Sequence, residues 1–386
     1  MNIHDFDAIR PYSPEELPEA FEQLLADEAF WKLASQYMPG ISKEAFRKQL
    51  YACHTNLEVQ KTFFYPLIHK MLAPCCISIS MDASAIPADK RAEQYTYVSN
   101  HRDIVLDSAL LDMQLIDNGF PDTVEIAIGD NLLIYPWIRT LVRINKSFIV
   151  QRSLGMREML ASSKRMSQYM HFAITEKKQS IWIAQREGRT KDSDDRTQES
   201  ILKMMCMAGE GTPLERLKEM NIVPVSISYE FDPCDFLKAK EFQQKRDDAA
   251  FKKSPEDDLL NMRTGITGFK GHVVYRLGTP VNAWIDSLAD CPKTEFFAEV
   301  ARRMDREIHL GYEMFSNNYA AYDLLHGYDA PSVNYPEDEL ERFKIYVDRR
   351  VELIDLPHKD KDFLRERILT MYANPYINQL KARGLA

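Results

Sequence analysis

Two apolar stretches, SIWIA at residues 180–184 and IVPVSISY at residues 222–229, indicate the class of fold. Most of their positions are apolar, which is typical of strands covered on both faces of a sheet. Other short β-rich runs are CISISM (76–81), TYVSN (96–100), VEIAIG (124–129), SFIVQ (147–151) and HVVYRL (272–277). Helical spacing of apolar residues separates several of them, over 104–117, 131–143, 154–176 and 197–208. Strands that alternate with helices predict an α/β fold with a mixed, mostly parallel central sheet covered by helices.

Helical patterns flank this middle region on both sides. Ser13-Pro14-Glu15-Glu16 is a typical helix start, and helical spacing continues until Pro74 ends it. Amphipathic spacing returns over 294–325 and 336–383. The predicted units are an N-terminal helical region at 1–74, an α/β domain at 75–290 that carries the candidate chemistry, and a C-terminal helical region at 291–386.

Two features of the middle region leave alternatives open. The charged segment 236–262 is either a mobile loop or a solvated helix. Pro224 lies inside a predicted strand, and proline has no N–H to give to a sheet. We therefore expect that strand to lie at an edge or to contain a bulge.

Composition excludes several classes of function. The chain of 386 residues has a formal net charge of −9 and a pI near 5.6, which argues against nucleic acid as the main partner. No run reaches the ~18–20 apolar residues needed to span a bilayer, and the acidic N-terminus lacks the apolar core of a signal peptide. The six cysteines form no C-x-x-C pair. We therefore expect reduced thiols, no metal site and a cytoplasmic location.

The segment SNHRDIVLD, residues 99–107, carries the strongest chemical signal. It follows a predicted strand and opens a helix, so His101 lies at the edge of the sheet where α/β proteins usually bind ligands. A nearby carboxylate can hold an imidazole in the tautomer that accepts a proton from a hydroxyl group. Taken alone, a capping histidine beside solvated aspartates is the commoner interpretation of such a segment.

Two further segments place basic residues after predicted strands. In IWIAQREGRTK (181–191), Gly188 lets the backbone approach a ligand, and Arg189 can bind a phosphate through two hydrogen bonds. In RINKSFIVQR (143–152), Lys146 and Arg152 flank another strand. The alternatives are a polar turn after a buried strand and ordinary surface charges. The G-x-S-x-G elbow of hydrolases and the G-x-G-x-x-G turn of dehydrogenases are both missing from the sequence.

Taken in chain order, four segments resemble the sequence blocks of the glycerol-3-phosphate and lysophosphatidate acyltransferase superfamily. These blocks are a histidine with a nearby aspartate, an arginine that ends an apolar strand, a Glu-Gly or Gly-Gly element followed by arginine, and a Val-Pro strand. Here they fall at about 99–107, 143–152, 181–191 and 222–230. The layout is most similar to that of the soluble plastid glycerol-3-phosphate acyltransferases, although the C-terminal helices have no counterpart there.

The sequence departs from the family pattern in two blocks. The family has four residues between its histidine and aspartate, whereas five separate His101 from Asp107, and Leu106 takes the expected aspartate position. The partner of His101 is therefore either Asp107, through a shifted helix start, or Asp103. We favour Asp107, because a residue within the helix can point back toward the loop. In the third block Arg189 follows Gly188 directly, which leaves the role of Glu187 open.

The resemblance implies a glycerolipid O-acyltransferase of phospholipid biosynthesis. Its co-substrate would be an acyl-coenzyme A or acyl carrier protein thioester, with no further cofactor, and its acceptor a hydroxyl of glycerol 3-phosphate or a lysophospholipid. His101 would be the general base, and backbone N–H groups near a helix start would stabilise the oxyanion. The residues expected at the acceptor site are Lys146, Arg152, Glu187, Gly188 and Arg189.

Other interpretations stay open at this stage. One alternative is an acyltransferase for another lipid acceptor, such as an N-acyl amino acid. The other is a non-catalytic lipid-binding protein with a degenerate acyltransferase fold. The apolar segment NLLIYPWIRTLVRI (131–144) indicates an acyl groove, peripheral contact with the inner face of the cell membrane, or a helix packed on the sheet.

Overall fold

A single sheet organises the part of the chain that the computed structural model describes, residues 2–152, 155–327 and 333–385. Its strands are β1 Cys76–Asp82, β2 Thr96–Ser99, β3 Glu125–Gly129, β4 Ser147–Val150, β5 Ile181–Ala184, β6 Ile222–Tyr229 and β7 Gly271–Leu277. The seven strands predicted from the sequence are confirmed, because each observed end lies within one residue of its prediction.

The strands lie in the order β1-β7-β6-β2-β5-β3-β4. Every neighbouring pair is parallel except β6 and β7, so the sheet is mixed and mostly parallel, as predicted. Strands β6, β2, β5, β3 and β4 therefore end along the same side of the sheet, which we call the carboxyl edge. In open α/β sheets, ligands bind along this edge.

Pro224 lies in the interior of the sheet, which contradicts the expected edge or bulge. β6 pairs with β2 on one side, where Pro224 is opposite Val98, and with β7 on the other. The Pro224 carbonyl accepts a hydrogen bond of 2.7 Å from the Gly278 N–H, so it points toward the β7 side. In a strand the N–H and carbonyl of one residue point the same way, so the position without an N–H also faces β7. The register of β6 with β7 ends at the pair Val225 and Leu277, and Pro224 lies just beyond that pair. The proline therefore removes no hydrogen bond from the ladder between the two strands.

The N-terminal region is helical, as predicted. It contains α1 Leu17–Ala26, α2 Glu28–Tyr37, α3 Lys43–Tyr51, α4 Asn56–Val59 and α5 Tyr65–Leu72. Ser13 and Glu16 form a capping box around a 3-10 turn, and α1 begins just after it. Ile144 from the α/β region packs into the core of these helices. The Ile149 N–H donates to the Ile9 carbonyl at 2.9 Å, so the N-terminal segment covers the exposed side of β4.

Helices cover both faces of the sheet. Those of the middle region are α6 Leu106–Asp117, α7 Pro136–Ile144, α8 Met156–Thr175, α9 Glu199–Met205, α10 Pro213–Glu219, α11 Asp235–Asp247 and α12 Pro255–Thr267. Successive residues of a strand point to opposite faces, so Tyr97 and Val223 pack toward α6, whereas Val98 and Ile222 pack toward α8 and α9. Helices cover both faces of β5 and β6, which explains why these two strands are apolar along almost their whole length.

The C-terminal region is also helical. It contains α13 Phe296–Leu310, α14 Ser316–Leu325, α15 Glu337–Glu352 and α16 Lys361–Ala382. α13 packs on the same sheet face as α8, through Val300 and Met304. α14, α15 and α16 form a separate apolar cluster that includes Ala239 of α11.

The charged segment 236–262 is neither a mobile loop nor simply a solvated helix. It forms most of α11 and the first half of α12. Lys238 and Ala239 of α11 are buried, and Asn261 of α12 is 7% exposed. The charges of this segment are held by ion pairs such as Lys238 with Asp232, which is why its polar composition did not indicate burial. In the described part of the chain, no helix is both long enough and apolar enough to cross a membrane.

Candidate functional site

The loop between β2 and α6 carries His101 and lies on the carboxyl edge. Asn100 fixes it, because its amide Nδ2 donates to the Ile227 carbonyl at 2.9 Å and its Oδ1 accepts from the Ile227 N–H at 2.8 Å. Asn100 is completely buried. A pair of hydrogen bonds from one side chain to the backbone of β6 holds the loop at a fixed height above the sheet. The sequence did not single out Asn100 for this role.

His101 and Asp107 form a hydrogen-bonded pair. Nδ1 of His101 lies 2.8 Å from Oδ2 of Asp107. That oxygen also accepts the backbone N–H groups of Arg102 at 2.7 Å and Asp103 at 3.0 Å. α6 begins at Leu106, so Asp107 is in its first turn and its carboxylate lies beneath the loop that precedes the helix. The extra residue between histidine and aspartate is accommodated by this helix start.

Tyrosines from the sheet enclose the buried carboxylate. The Tyr229 hydroxyl donates to the other Asp107 oxygen, Oδ1, at 3.3 Å, and the Tyr275 hydroxyl donates to the Asp107 backbone carbonyl at 2.9 Å. Burial raises the pKa of both tyrosines well above its usual value, with a further contribution from the charge of Asp107. Both therefore remain protonated donors at neutral pH. They come from β6 and β7, more than a hundred residues away in sequence, and no local pattern marks them.

Asp103 has a different role. Its Oδ1 accepts the N–H groups of Val105 at 2.9 Å and Leu106 at 2.8 Å, so it caps the start of α6. Within the described residues it makes no hydrogen bond to His101. Burial raises the pKa of Asp103, and the charge of Asp107 adds to that effect. Of the two carboxylates considered as the partner of His101, the geometry therefore selects Asp107.

One nitrogen of the His101 ring is free to act. Nδ1 is engaged by Asp107, whereas no group in the described part of the chain hydrogen-bonds Nε2. The side chain is 14% exposed, and the ring meets Trp182 edge to face at 5.9 Å between centroids. Trp182 is fixed in turn by its indole N–H, which donates to Ser99 Oγ at 3.0 Å. The imidazole is thus oriented on two sides and accessible on a third.

The loop after β5 lies directly beside His101. The Thr190 N–H donates to the His101 carbonyl at 3.3 Å. Gly188 adopts a φ of +68°, a conformation that disfavours side chains, and a Cβ atom there would meet nothing within 4 Å. The Glu187 side chain is exposed, and its backbone N–H donates to Gln198 at 2.8 Å. Glu187 therefore contributes to this loop through its backbone.

Arg189 points from this loop toward the interior. Its Nη2 donates to Asn261 Oδ1 of α12 at 2.9 Å. Its Nη1 is buried and has no hydrogen-bond partner in the described residues, and the same is true of Nε of Arg186. Buried donors without an acceptor are costly, so both atoms are available to an added anionic group. Arg186 was not singled out in the sequence.

The two residues that flank β4 are far apart. Arg152 follows β4 on the carboxyl edge, where its Nε lies near Gly129, and a Cβ atom on that glycine would come within 2.9 Å of it. β4 is the third strand from β2, which places Arg152 about 14 Å along the edge from the His101 loop.

Lys146 precedes β4 and so lies at the opposite edge of the sheet, where it pairs with Asp122 and Gln179. Lys146 therefore lies apart from the His101 loop, because residues that start and end a parallel strand lie at opposite edges.

The backbone N–H groups at the start of α6 are already engaged. Those of Arg102 and Asp103 donate to Asp107, and those of Val105 and Leu106 donate to Asp103. The expectation that N–H groups near a helix start stabilise an oxyanion is therefore not met by these four.

A buried ion pair ties the His101 loop to the C-terminal half of the chain. Arg102 Nη2 lies 2.8 Å from Asp195 Oδ2, and the Tyr312 hydroxyl donates to the same carboxylate. Lys238 Nζ donates to the Arg102 carbonyl at 3.2 Å. Within residues 2–152, 155–327 and 333–385, no cluster of three or more His, Cys, Asp or Glu residues is placed to hold a metal ion.

An imidazole that is hydrogen-bonded through Nδ1 to a buried carboxylate and open at Nε2 is the arrangement of a general base. The neighbouring loop supplies arginine donors for an anionic group. The site can therefore remove a proton from a hydroxyl group whose molecule is held through a negative charge.

Comparisons with known proteins bear on this arrangement. One solved structure, the 1-acyl-sn-glycerophosphate acyltransferase from Thermotoga maritima, is similar to this chain with 13% sequence identity and a TM-score of 0.39, covering 76% of this chain and 93% of that one. No curated protein matches the sequence. Residues 82–228, however, match the family described as Acyltransferase, a segment that includes His101, Asp107 and the loop after β5. The part of the chain that carries the candidate site is thus similar to the acyltransferase family.

Proposed function

We propose that this chain transfers a fatty-acyl group from a thioester to a hydroxyl of an anionic glycerolipid acceptor, glycerol 3-phosphate or a lysophospholipid, in phospholipid biosynthesis. The single observation that carries the proposal is the His101–Asp107 pair with Nε2 of His101 open on the carboxyl edge. The thioester is that of coenzyme A or of an acyl carrier protein. His101 is the general base.

The chemistry requires no covalent acyl-enzyme. Nε2 of His101 takes the proton from the acceptor hydroxyl as its oxygen attacks the thioester carbonyl. Asp107 stabilises the imidazolium that forms and holds the ring in the tautomer with Nδ1 protonated. When the tetrahedral intermediate collapses, the carbon–sulfur bond breaks and the departing thiolate takes the proton from the imidazolium. The base is then ready for the next turnover.

The unpaired arginine donors support an anionic acceptor. Arg189 Nη1 and Arg186 Nε are buried without partners near the His101 loop. A phosphate group would satisfy them with charge-assisted hydrogen bonds, which are about twice as strong as neutral ones. Holding the acceptor by its phosphate places its hydroxyl against the base, and such positioning accounts for much of the rate in reactions of this kind. Arg152 lies further along the same edge and fits a longer acceptor.

Peripheral contact with an anionic membrane is part of the proposal. Four exposed apolar side chains lie around the end of β4: Ile134, Tyr135, Met159 and Leu160, with Leu160 65% exposed. The end of β4 connects the segment of Ile134 with the start of α8. Ser162 of α8 donates to Gln151 at 3.1 Å, and the neighbouring Arg152 N–H donates to Asp130. Exposed cations, Arg157 and Lys164, flank the apolar side chains. Apolar groups beside cations suit the headgroup region of an anionic bilayer.

Vesicle flotation tests this surface. Leu160→Glu should release the protein from vesicles rich in phosphatidylglycerol, whereas Leu353→Glu, at a similarly exposed leucine in the C-terminal region, should not. Wild-type protein that fails to float with these vesicles, or equal binding by both variants, would contradict membrane contact at this surface.

Acyl transfer by the purified protein tests the function. Radiolabelled acyl-coenzyme A and acyl carrier protein thioesters are each supplied with glycerol 3-phosphate, lysophosphatidate, another lysophospholipid and an N-acyl amino acid. We expect product with a phosphate-bearing acceptor and its loss by a factor of about 10³ or more in His101→Ala. His54→Ala, at an exposed histidine in the N-terminal region, is the matched control and should keep full activity.

The outcomes separate the alternatives. Product with only the N-acyl amino acid would keep the chemistry and change the acceptor. Full activity in His101→Ala would rule out His101 as the base. No product with any pair would favour the non-catalytic lipid-binding alternative. The main support for that alternative is the unusual separation of His101 and Asp107 in sequence, and the 2.8 Å contact between the two residues argues against it.

A further inference from the structure

Helix α12 reaches the candidate site at two points, although it lies outside the matched segment 82–228. Asn261 accepts the hydrogen bond from Arg189. One turn later, Gly265 packs so closely on Asp103 that a Cβ atom there would lie 1.9 Å from Oδ2. α12 therefore contacts both the loop that carries His101 and the loop that carries Arg189.

The orientation of the Asn261 amide is fixed by its own helix. Nδ2 donates to the Asp257 carbonyl at 2.7 Å, one turn earlier. Since the nitrogen is engaged there, Oδ1 faces Arg189 Nη2. The Asn261 backbone carbonyl accepts from Cys234 Sγ at 3.3 Å, which ties this turn to the segment before α11. A residue held at three points and 7% exposed is a rigid anchor.

The chemistry of this anchor matters because the other groups near Arg189 are acidic. Burial raises the pKa of Asp103, and the nearby charge of Arg189 opposes that rise. The pKa of Asp232 is lowered, because the charge of Lys238 and, less strongly, that of Arg189 outweigh the effect of burial. Each of those carboxylates has other partners: backbone N–H groups for Asp103 and Lys238 for Asp232. An amide oxygen fixes the guanidinium by one donor but carries no charge. The positive charge and the unpaired Nη1 therefore remain for a ligand.

We propose that Asn261 is a positioning residue for Arg189, and that α12 thereby sets the affinity for the anionic group of the acceptor. This rests on the proposed function, in which Arg189 binds that group. Asn261 holds the guanidinium in one direction without neutralising it. A carboxylate in its place would compete with the acceptor, and a methyl group would let Arg189 turn away.

Steady-state kinetics with the full-length protein tests the proposal, with glycerol 3-phosphate or lysophosphatidate as the varied acceptor at saturating thioester. Asn261→Ala should raise KM for the acceptor about tenfold and leave kcat within about twofold. Asn261→Asp, which is nearly isosteric, should raise KM at least as much because its charge pairs with Arg189. Arg263→Ala, at an exposed position of the same helix, is the control and should change neither constant.

A double-mutant cycle separates positioning from mere folding. If Asn261 acts through Arg189, adding Asn261→Ala to Arg189→Ala should cause no further rise in KM. Independent, additive effects of the two substitutions would overturn the inference, as would an unchanged KM in both Asn261 variants while Arg189→Ala raises it. An unchanged KM in Arg189→Ala would instead remove the proposed acceptor site itself, and the inference with it. Should Asn261→Ala fail to fold, Asn261→Asp supplies the same comparison.

Discussion

Nδ1 of His101 lies 2.8 Å from Oδ2 of Asp107, and the same carboxylate oxygen receives two backbone N–H groups of the intervening loop. The carboxylate thus organises the loop and orients the base at the same time. Asp103, four residues before Asp107, caps the helix start without contacting the imidazole. The two aspartates have separable roles, and identical substitutions can distinguish them.

Asp107→Asn should reduce kcat by about 10³–10⁴-fold, because an amide can no longer hold the imidazole in the tautomer with Nδ1 protonated. Asp103→Asn should keep kcat within about tenfold, because its amide oxygen can still accept the two capping N–H groups. Measurement of kcat for both variants, with circular dichroism to confirm folding, compares them directly. A larger loss in Asp103→Asn than in Asp107→Asn would reverse the assignment.

Lys146 should matter for stability and not for acceptor binding. Lys146→Met removes the pairing with Asp122 and Gln179 at the edge of the sheet opposite to His101. We expect the free energy of unfolding in urea to fall by about 1 kcal/mol, with KM for the acceptor unchanged. A rise in KM at unchanged stability would return Lys146 to the acceptor site.

Gly265→Ala tests the packing of α12 through the direction in which it changes the free energy of unfolding. In an exposed helix interior this substitution stabilises by about 1 kcal/mol, because alanine has the higher helix propensity. Here the added methyl group would lie 1.9 Å from Asp103 Oδ2. We therefore expect a loss of about 1–3 kcal/mol in urea unfolding, together with lower activity as α12 and the His101 loop separate. A stabilised variant would show that α12 does not pack against the loop in this way.

Asp112 should make the protein less stable as the pH rises. It is buried between the Val124 N–H and Gln60, and burial raises its pKa from 3.8 to about 7. Between these two values the folded state binds the proton more tightly than the unfolded state. The contribution of Asp112 to stability is therefore greatest below about pH 4 and is lost as the pH rises toward about 7.

The comparison of wild type with Asp112→Asn isolates this contribution. The free energy of unfolding of both proteins is measured in urea at pH 5 and pH 8. Relative to wild type, Asp112→Asn should be more stable at pH 8 than at pH 5. A difference that is the same at both pH values would show that Asp112 does not titrate in this range.

Local sequence determined most of the fold. The lengths of the seven strands follow from short β-rich runs. For β5 and β6 the reason is that a strand buried on both faces must be apolar along its length. The position of His101 at the carboxyl edge follows from its place between a strand and a helix. The family was indicated by four segments in a fixed order, and the match over 82–228 agrees with it.

Only the tertiary structure showed which side chains contact the residues of the candidate site. Sequence favoured Asp107 over Asp103 but left both open, because the contact depends on where α6 begins and which way its first turn faces. The sequence analysis grouped Lys146 with Arg152 because both flank the same short strand. In space, β4 separates the two residues by its whole length. Tyr229, Tyr275 and Asn261 reach the site from distant segments, since hydrogen bonds between remote elements leave no periodic pattern along the chain.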